Sequence, residues 1–225
     1  MTKEIFALLE KYMLSCVDTC AHDSEHIYRV LSHALRIAKS EKGVDYDLLL
    51  TACLLHDIGR KEQLEQPSLC HAQVGAKKAY DFLLTEGFSP EFAQKVSDCI
   101  RTHRFRKNDP PKSIEAKILF DADKLDVSGA TGIARTLLYK GQISEPLYSR
   151  TSAGDISDGT NDQQPSFFQE YKYKLEHLSS KFLTRTGAKL ARKRQRSAAR
   201  FYRDLLKETV ESNATAASLL HNILS

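Results

Sequence analysis

The stretch that most restricts this chain runs from Leu48 to Arg60, where an apolar run (Leu48, Leu49, Leu50, Ala52, Cys53, Leu54, Leu55) meets His56 and Asp57, then Gly59. Burying an imidazole and a carboxylate at the end of such a run is costly unless something pairs with them. A divalent cation is the natural partner. The run is too short for a bilayer, which takes roughly 20 apolar residues, so no membrane partner is expected. Leu48, Ala52 and Leu55, with Leu49 and Cys53, recur at helical spacing. The pattern predicts a core helix whose last turn delivers His56 and Asp57 and which Gly59 ends. Neighbouring helical side chains point about 100° apart, so the two would share an ion only beyond the helix end. A core histidine beside a capping aspartate is the plainer alternative.

At 225 residues the chain suits one large domain, or a domain with a helical appendage. There is no Trp and only 10 Gly. Long segments of helical period dominate over strand-like alternation, so the expected fold is all-α. The net charge of +4 is mild. It suits anionic substrates and gives no reason to expect a nucleic-acid partner. The five cysteines (Cys16, Cys20, Cys53, Cys70, Cys99) are odd in number and scattered. They lack the spacing of a zinc site, and a reduced cytoplasmic setting is expected. Met1 to Glu4 opens no signal-peptide core. Nothing in the pattern speaks to oligomeric state.

Further along, helices are expected over residues 3–20 and from Asp23 or Ser24, as N-cap, to about 40. The second places His26, Arg29, Val30 and His33 on or beside one face. A polar stretch with Pro67, read as a loop over 60–70, follows Gly59. His71 then begins a helix to Leu84, and Ser89 caps another to Thr102, with Pro90 at its first position and His103 at its end. Residues 113–126 repeat the opening design: apolar residues lead into Asp121, Asp123, Lys124 and Asp126. Asp123 and Asp126 are three apart and should stack on one helical face. Residues 127–143 read as a helix, 144–166 as a mobile loop, 167–182 as a helix and about 187–211 as the last one. That last helix carries Lys189, Arg192, Arg196, Arg200 and Arg203, either a solvated face or an anion-attracting wall. The expected organisation is a metal-binding core over 1–143, the loop 144–166, and C-terminal helices over 167–225 packed on the core as one structural domain.

Four positions stand out at the edges of apolar helical faces: His26, His56, Asp57 and Asp123. Two imidazoles and two carboxylates suit an octahedral cation with positions left for water; Mn²⁺, Mg²⁺, Co²⁺, Ni²⁺ and Fe²⁺ are all admissible. The order H…HD…D, with His22-Asp23 and Arg29-Val30 around His26, Leu54-Leu55 before and Ile58-Gly59 after the doublet, and Asp121 to Asp126, resembles the HD-domain superfamily of metal-dependent phosphohydrolases. It is most similar to the small single-domain bacterial branch, whose members hydrolyse nucleotides. The similarity is dense over about residues 20–140 and weaker beyond.

The resemblance implies an HD-domain helical bundle with additional C-terminal helices. It implies one divalent cation per chain on His26, His56, Asp57 and Asp123, and a small nucleotide as substrate. Lys124 and Arg29 should meet phosphate. Asp121 is set aside because the family's ligand directly precedes the lysine, and Asp23 is assigned to capping. Histidines in segments comparable to those of His71 and His103 bind a second metal in binuclear HD phosphodiesterases. The GYP signature of the best-known binuclear branch is absent here, so substrate contact or proton transfer to the leaving oxygen is expected of them, or a helix-end bond to a carbonyl. Asp57 is the expected base, with Asp126 or a neighbouring histidine as the alternative. Besides hydrolysis of a phosphate ester or pyrophosphate bond at one metal, a binuclear-metal phosphodiesterase or di-iron oxygenase of HD type, with His71 and His103 as further ligands, and a non-catalytic nucleotide-sensing module are the competing readings.

Overall fold

The computed structural model describes residues 1–16, 24–105 and 109–224. The expected cap at Asp23 and the thiol of Cys20 lie outside them. The fold is all-α: among the described residues there is no strand, only an isolated bridge between Arg150 and Ile156. The helices are α1 (Lys3–Cys16), α2 (Ser24–Ala38), α3 (Tyr46–Leu55), α4 (Arg60–Glu65), α5 (His71–Thr85), α6 (Pro90–Thr102), α7 (Ile114–Asp126), α8 (Gly129–Gln142), α9 (Phe167–Glu170) and α10 (Arg185–Leu224). None of them is long and apolar enough to cross a membrane.

The chain divides into two compact units. The first is Met1–Asp126 with Phe182–Ala188; the second is Val127–Lys181 with Lys189–Ser225. In the first, α3 is the central element and packs against α1, α2, α6 and α7, while α5 pairs with α6 and α2 with α7. Seven of its ten residues are buried, which is why its sequence reads apolar all round. Asp45 starts it, its side chain accepting from Leu48 N at 3.1 Å. Ser89 caps α6 in the expected way, accepting from Phe92 N at 3.2 Å.

Three local expectations need correction. First, α3 ends at Leu55, so His56 is its C-cap and Asp57 lies in the turn beyond. Second, Gly59 does not end the helix through a left-handed conformation, since its φ is −96°. It is glycine because a Cβ there would meet the carbonyl oxygen of His71 and, at 2.6 Å, the backbone nitrogen of Gly75. This close approach seats the start of α5 against the His56–Gly59 turn. Third, the polar stretch after Gly59 is not bare loop: it forms α4, tied down by Lys78, whose Nζ donates to Glu62 Oε1 at 2.6 Å and to Ile58 O at 2.9 Å.

The second unit has its own core of Ile133, Phe167, Phe168, Tyr171, Leu175, Ala198 and Tyr202. Residues 167–182 do not form one helix. After the single turn of α9 comes a π turn over Tyr171–Leu175, then a 3₁₀ turn over Leu178–Ser180. The wide turn keeps both Tyr171 and Leu175 in the core, with Tyr171 stacked on Tyr202 at 4.0 Å between ring centroids. Within 144–166, Asp162 accepts from Ser149 and Ser157 at 2.5 Å each. The basic residues Lys189, Arg192, Arg196, Arg200 and Arg203 are exposed along α10, which continues to Leu224, well past the expected end near residue 211.

Candidate metal centre

Five elements of the first unit converge on one buried cluster. The N-terminal half of α2 supplies His26, the turn after α3 supplies His56 and Asp57, and the C-terminal part of α7 supplies Asp123. The start of α5 and the end of α6 add His71 and His103. His26, His56, Asp57, His71 and His103 are all at most 2% exposed; Asp123 is partly exposed. The four imidazoles form a chain, with ring centroids 5.4 Å apart from His26 to His56, 5.3 Å from His56 to His103 and 5.4 Å from His103 to His71.

Asp57 stands in the middle. Its Oδ2 is 3.5 Å from His26 Nε2 and 3.7 Å from His56 Nε2. Its Oδ1 is 3.4 Å from His71 Nε2 and 3.7 Å from His103 Nε2. His26 Nε2 also lies 3.4 Å from Asp123 Oδ1. Two donor groups result: His26 with His56 and Asp123, and Asp57 with His71 and His103. In each, the ligand atoms lie within 4.8 Å of one another.

The far ring nitrogen of every histidine in the cluster is held by a neighbour. Nδ1 of His56 lies 2.8 Å from Cys53 O, and Nδ1 of His103 lies 2.6 Å from Ile100 O. Nδ1 of His26 contacts Asp126 Oδ2 at 2.7 Å, and Nδ1 of His71 contacts Gln63 Oε1 at 2.5 Å. A carbonyl can only accept, so His56 and His103 donate through Nδ1 and, when neutral, present a bare Nε2. This is the outer-shell arrangement that metal-binding histidines use.

Among the described residues, His56 Nε2, both oxygens of Asp57, His71 Nε2 and His103 Nε2 are buried without any hydrogen-bond partner. Each such orphaned group costs about 1–3 kcal/mol. Five in one cluster make a centre that fits a cation and is costly without one. Arg60 approaches Asp57 Oδ2 at 3.0 Å as an ion pair, off-line for a hydrogen bond.

Electrostatics separate the histidines. Burial opposes charge on His26, but the carboxylates of Asp123, Asp126 and Asp57 around its ring outweigh it and raise its pKa to about 11. Burial, with the charges of Arg60, His103 and Arg104, lowers His71 to about 2 against the pull of Asp57. Burial and then His56 lower His103 to about 4. Burial alone would raise Asp57, yet His56, Arg60 and His26 hold it well below the usual carboxylate range. Asp123 is lowered too, against burial, chiefly by His26.

The remaining expected site residues are placed as follows. Asp126 is fully buried behind the cluster, its oxygens taken by His26 Nδ1 and by Arg29, whose Nε donates to Oδ1 at 2.6 Å and Nη2 to Oδ2 at 3.2 Å. That geometry makes Asp126 the group that orients His26. Arg29 is correspondingly engaged with a carboxylate. Lys124 Nζ lies 4.1 Å from the centroid of the Phe120 ring. Asp121 is turned away: it accepts from Leu183 N, Thr184 N and Thr184 Oγ1 at 2.8, 2.7 and 2.6 Å, anchoring the entry to α10. Sequence reasoning missed Arg60 and Gln63. Arg60 had a signal, one turn beyond Asp57; Gln63 had none.

A helical unit built around a His and Asp cluster from α2, the α3–α4 turn and α7 defines the HD domain, and that family matches residues 23–128. This chain belongs to the HD-domain family. YpgQ of Bacillus subtilis (strain 168), described as an uncharacterized protein, is 31% identical over 195 residues, covering 85% of this chain and 86% of YpgQ. The crystal structure of Bacillus subtilis YpgQ in complex with ADP is similar with a TM-score of 0.69 at 27% identity, covering 90% of this chain and 97% of that one. A crystal structure from an uncultured Thermotogales bacterium, described as a predicted HD-superfamily hydrolase, has a TM-score of 0.61 at 30% identity, covering 90% and 91%.

Proposed function

We propose that the chain is a divalent-metal-dependent phosphohydrolase that cleaves a phosphate ester or pyrophosphate bond of a nucleotide. The observation that carries the reading is the set of buried, partnerless polar atoms on His56, Asp57, His71 and His103, facing one another across the cluster. Family membership and the ADP held by the related YpgQ support the hydrolase class and the nucleotide.

His26, His56, Asp57 and Asp123 would hold one cation. Imidazole nitrogens suit Mn²⁺, Fe²⁺, Co²⁺ or Ni²⁺ better than Mg²⁺, which prefers oxygen. When bound, such an ion supplies Lewis acidity toward water and phosphoryl oxygen. Asp57, kept ionised by its neighbours, is suited to accept a proton from the attacking water at Oδ1. Asp126 keeps His26 in place from behind. Arg60, beside Asp57, and Lys124 supply positive charge for phosphate oxygens, the main need in phosphoryl transfer.

A second reading, with two cations, is favoured by one observation. His103 donates through Nδ1, so its neutral ring offers a bare Nε2 to the Asp57 side. That suits a ligand and not an acid for the leaving oxygen. Asp57 would then serve both groups, one oxygen each.

The test is metal-stripped protein, restored with Mn²⁺, Mg²⁺, Co²⁺, Ni²⁺ or Fe²⁺ and screened against nucleoside mono-, di- and triphosphates and cyclic dinucleotides. Release of phosphate or pyrophosphate is the readout. Turnover lost in Asp57→Asn is expected; a folded, metal-loaded chain that turns over none of them defeats the proposal. Metal content of two per chain, falling to one in His103→Ala, would select the second reading.

A further inference from the structure

We propose that Gln63 is a positioning residue that fixes His71 in the tautomer carrying hydrogen on Nδ1, so that a bare Nε2 faces Asp57. Nothing in the side chain of His71 decides this by itself. Its Nδ1 has two polar neighbours of opposite kind: Gln63 Oε1 at 2.5 Å and Arg104 Nη1 at 3.2 Å. The first requires a hydrogen on Nδ1. The second requires a lone pair there, which would move the hydrogen to Nε2 and point it at Asp57 Oδ1, 3.4 Å away.

The choice rests on which way the Gln63 amide points, and a third group settles that. Gln63 Nε2 donates to Leu69 O at 2.9 Å. Turning the amide over would set its oxygen against that carbonyl, two acceptors at hydrogen-bond distance. With the amide so oriented, Oε1 accepts from His71 Nδ1 at 2.5 Å, and this contact outcompetes the longer one at 3.2 Å through which Arg104 Nη1 would donate to a bare Nδ1. The platform is firm: Lys78 clamps α4 through Glu62 and Ile58 O. Residues 60–69 therefore give His71 what backbone carbonyls give His56 and His103, an acceptor behind Nδ1. His71 can then accept or ligate through Nε2 and, while neutral, cannot donate there.

The test is a long-range ¹H–¹⁵N correlation spectrum of the metal-free full chain labelled in histidine, with His71→Asn identifying the resonance. Neutral tautomers differ in which ring nitrogen carries the upfield shift. The wild type is expected to show hydrogen on Nδ1, favoured by about tenfold, the worth of one hydrogen bond. In Gln63→Met, close in size but without the acceptor, Arg104 is expected to take over Nδ1 and the hydrogen to move to Nε2. Gln63→Glu, which still accepts, keeps hydrogen on Nδ1. Hydrogen on Nε2 in the wild type, or an unchanged tautomer in Gln63→Met, overturns the inference. Should Gln63→Met not fold, wild type and Gln63→Glu decide alone, since a bare Nδ1 in either overturns it. The spectrum needs neither metal nor turnover. An inactive protein with Nδ1–H on His71 would sink the proposed function and leave this inference standing.

Discussion

Gly59→Ala probes the link between packing and site most directly. The φ of −96° and ψ of 8° at Gly59 suit any residue, so the cost is steric alone. The added Cβ would strike His71 O and sit 2.6 Å from Gly75 N and 3.1 Å from Gly75 Cα. Ordinary contact begins near 3.4 Å, so the start of α5 must retreat by about 0.8 Å or more. All three atoms are backbone, so no side chain can swing aside. Overpacking of this kind costs about 1–3 kcal/mol, and the upper half of that range is expected. At about 2–4 °C per kcal/mol the melting temperature should fall by about 4–12 °C. Because α5 begins at His71, the same retreat draws Nε2 away from Asp57, and misplacement on this scale can cost about 10²-fold in turnover. The control lies on the other side of the same contact. A Cβ on Gly75 would find Gly59 N at 3.3 Å, His56 O at 3.5 Å and Ile100 Cγ2 at 3.7 Å. Gly75→Ala also gains helix propensity of about 1 kcal/mol, so it should be close to neutral. Thermal melts and steady-state kinetics on both variants check this. Equal melting temperatures and equal rates in the two would refute the close-approach argument.

Asp121→Ala should leave Leu183 N, Thr184 N and Thr184 Oγ1 without their acceptor. The hydroxyl can turn elsewhere, so two stranded N–H groups at about 1–3 kcal/mol each set the expected loss in urea unfolding; metal content should not change, and its loss would return Asp121 to the centre. Metal uptake should release about one proton near pH 7, because His26, raised to about 11, is charged in the metal-free chain and must lose its Nε2 hydrogen to ligate. Calorimetry in buffers of different ionisation heat reads this, and zero release would mean His26 is not displaced. The sign also runs through stability. The folded pKa of His26 lies above its unfolded value near 6.5, so its contribution to the metal-free protein is complete below that value and is lost as pH rises toward 11. Asp126→Asn keeps the shape but lets an amide face His26 Nδ1, now 2.7 Å from a carboxylate oxygen; metal affinity is expected to fall about 10–100-fold, and unchanged affinity would show that Asp126 does not orient the ring.

What was legible in the sequence follows from how far each decision reaches along the chain. The His56–Asp57 pair shows itself because the apolar run that buries it is adjacent. The three aspartates of α7 sort by helical geometry. Residues two apart point about 200° apart and residues three apart nearly align. Asp123 and Asp126 therefore reach the two nitrogens of the same ring, His26 Nε2 at 3.4 Å and Nδ1 at 2.7 Å, while Asp121 faces the entry to α10. The break at Tyr171 was hidden because its cause, the stack on Tyr202, lies thirty-one residues later. The second donor group was half visible. His71 and His103 read as helix-end histidines, and His103 does bond the carbonyl of Ile100. That bond and a ligand role had stood as alternatives, yet an imidazole has two nitrogens, and occupying one with an acceptor is what bares the other. The feature that made His103 look structural is therefore the feature that equips it to bind.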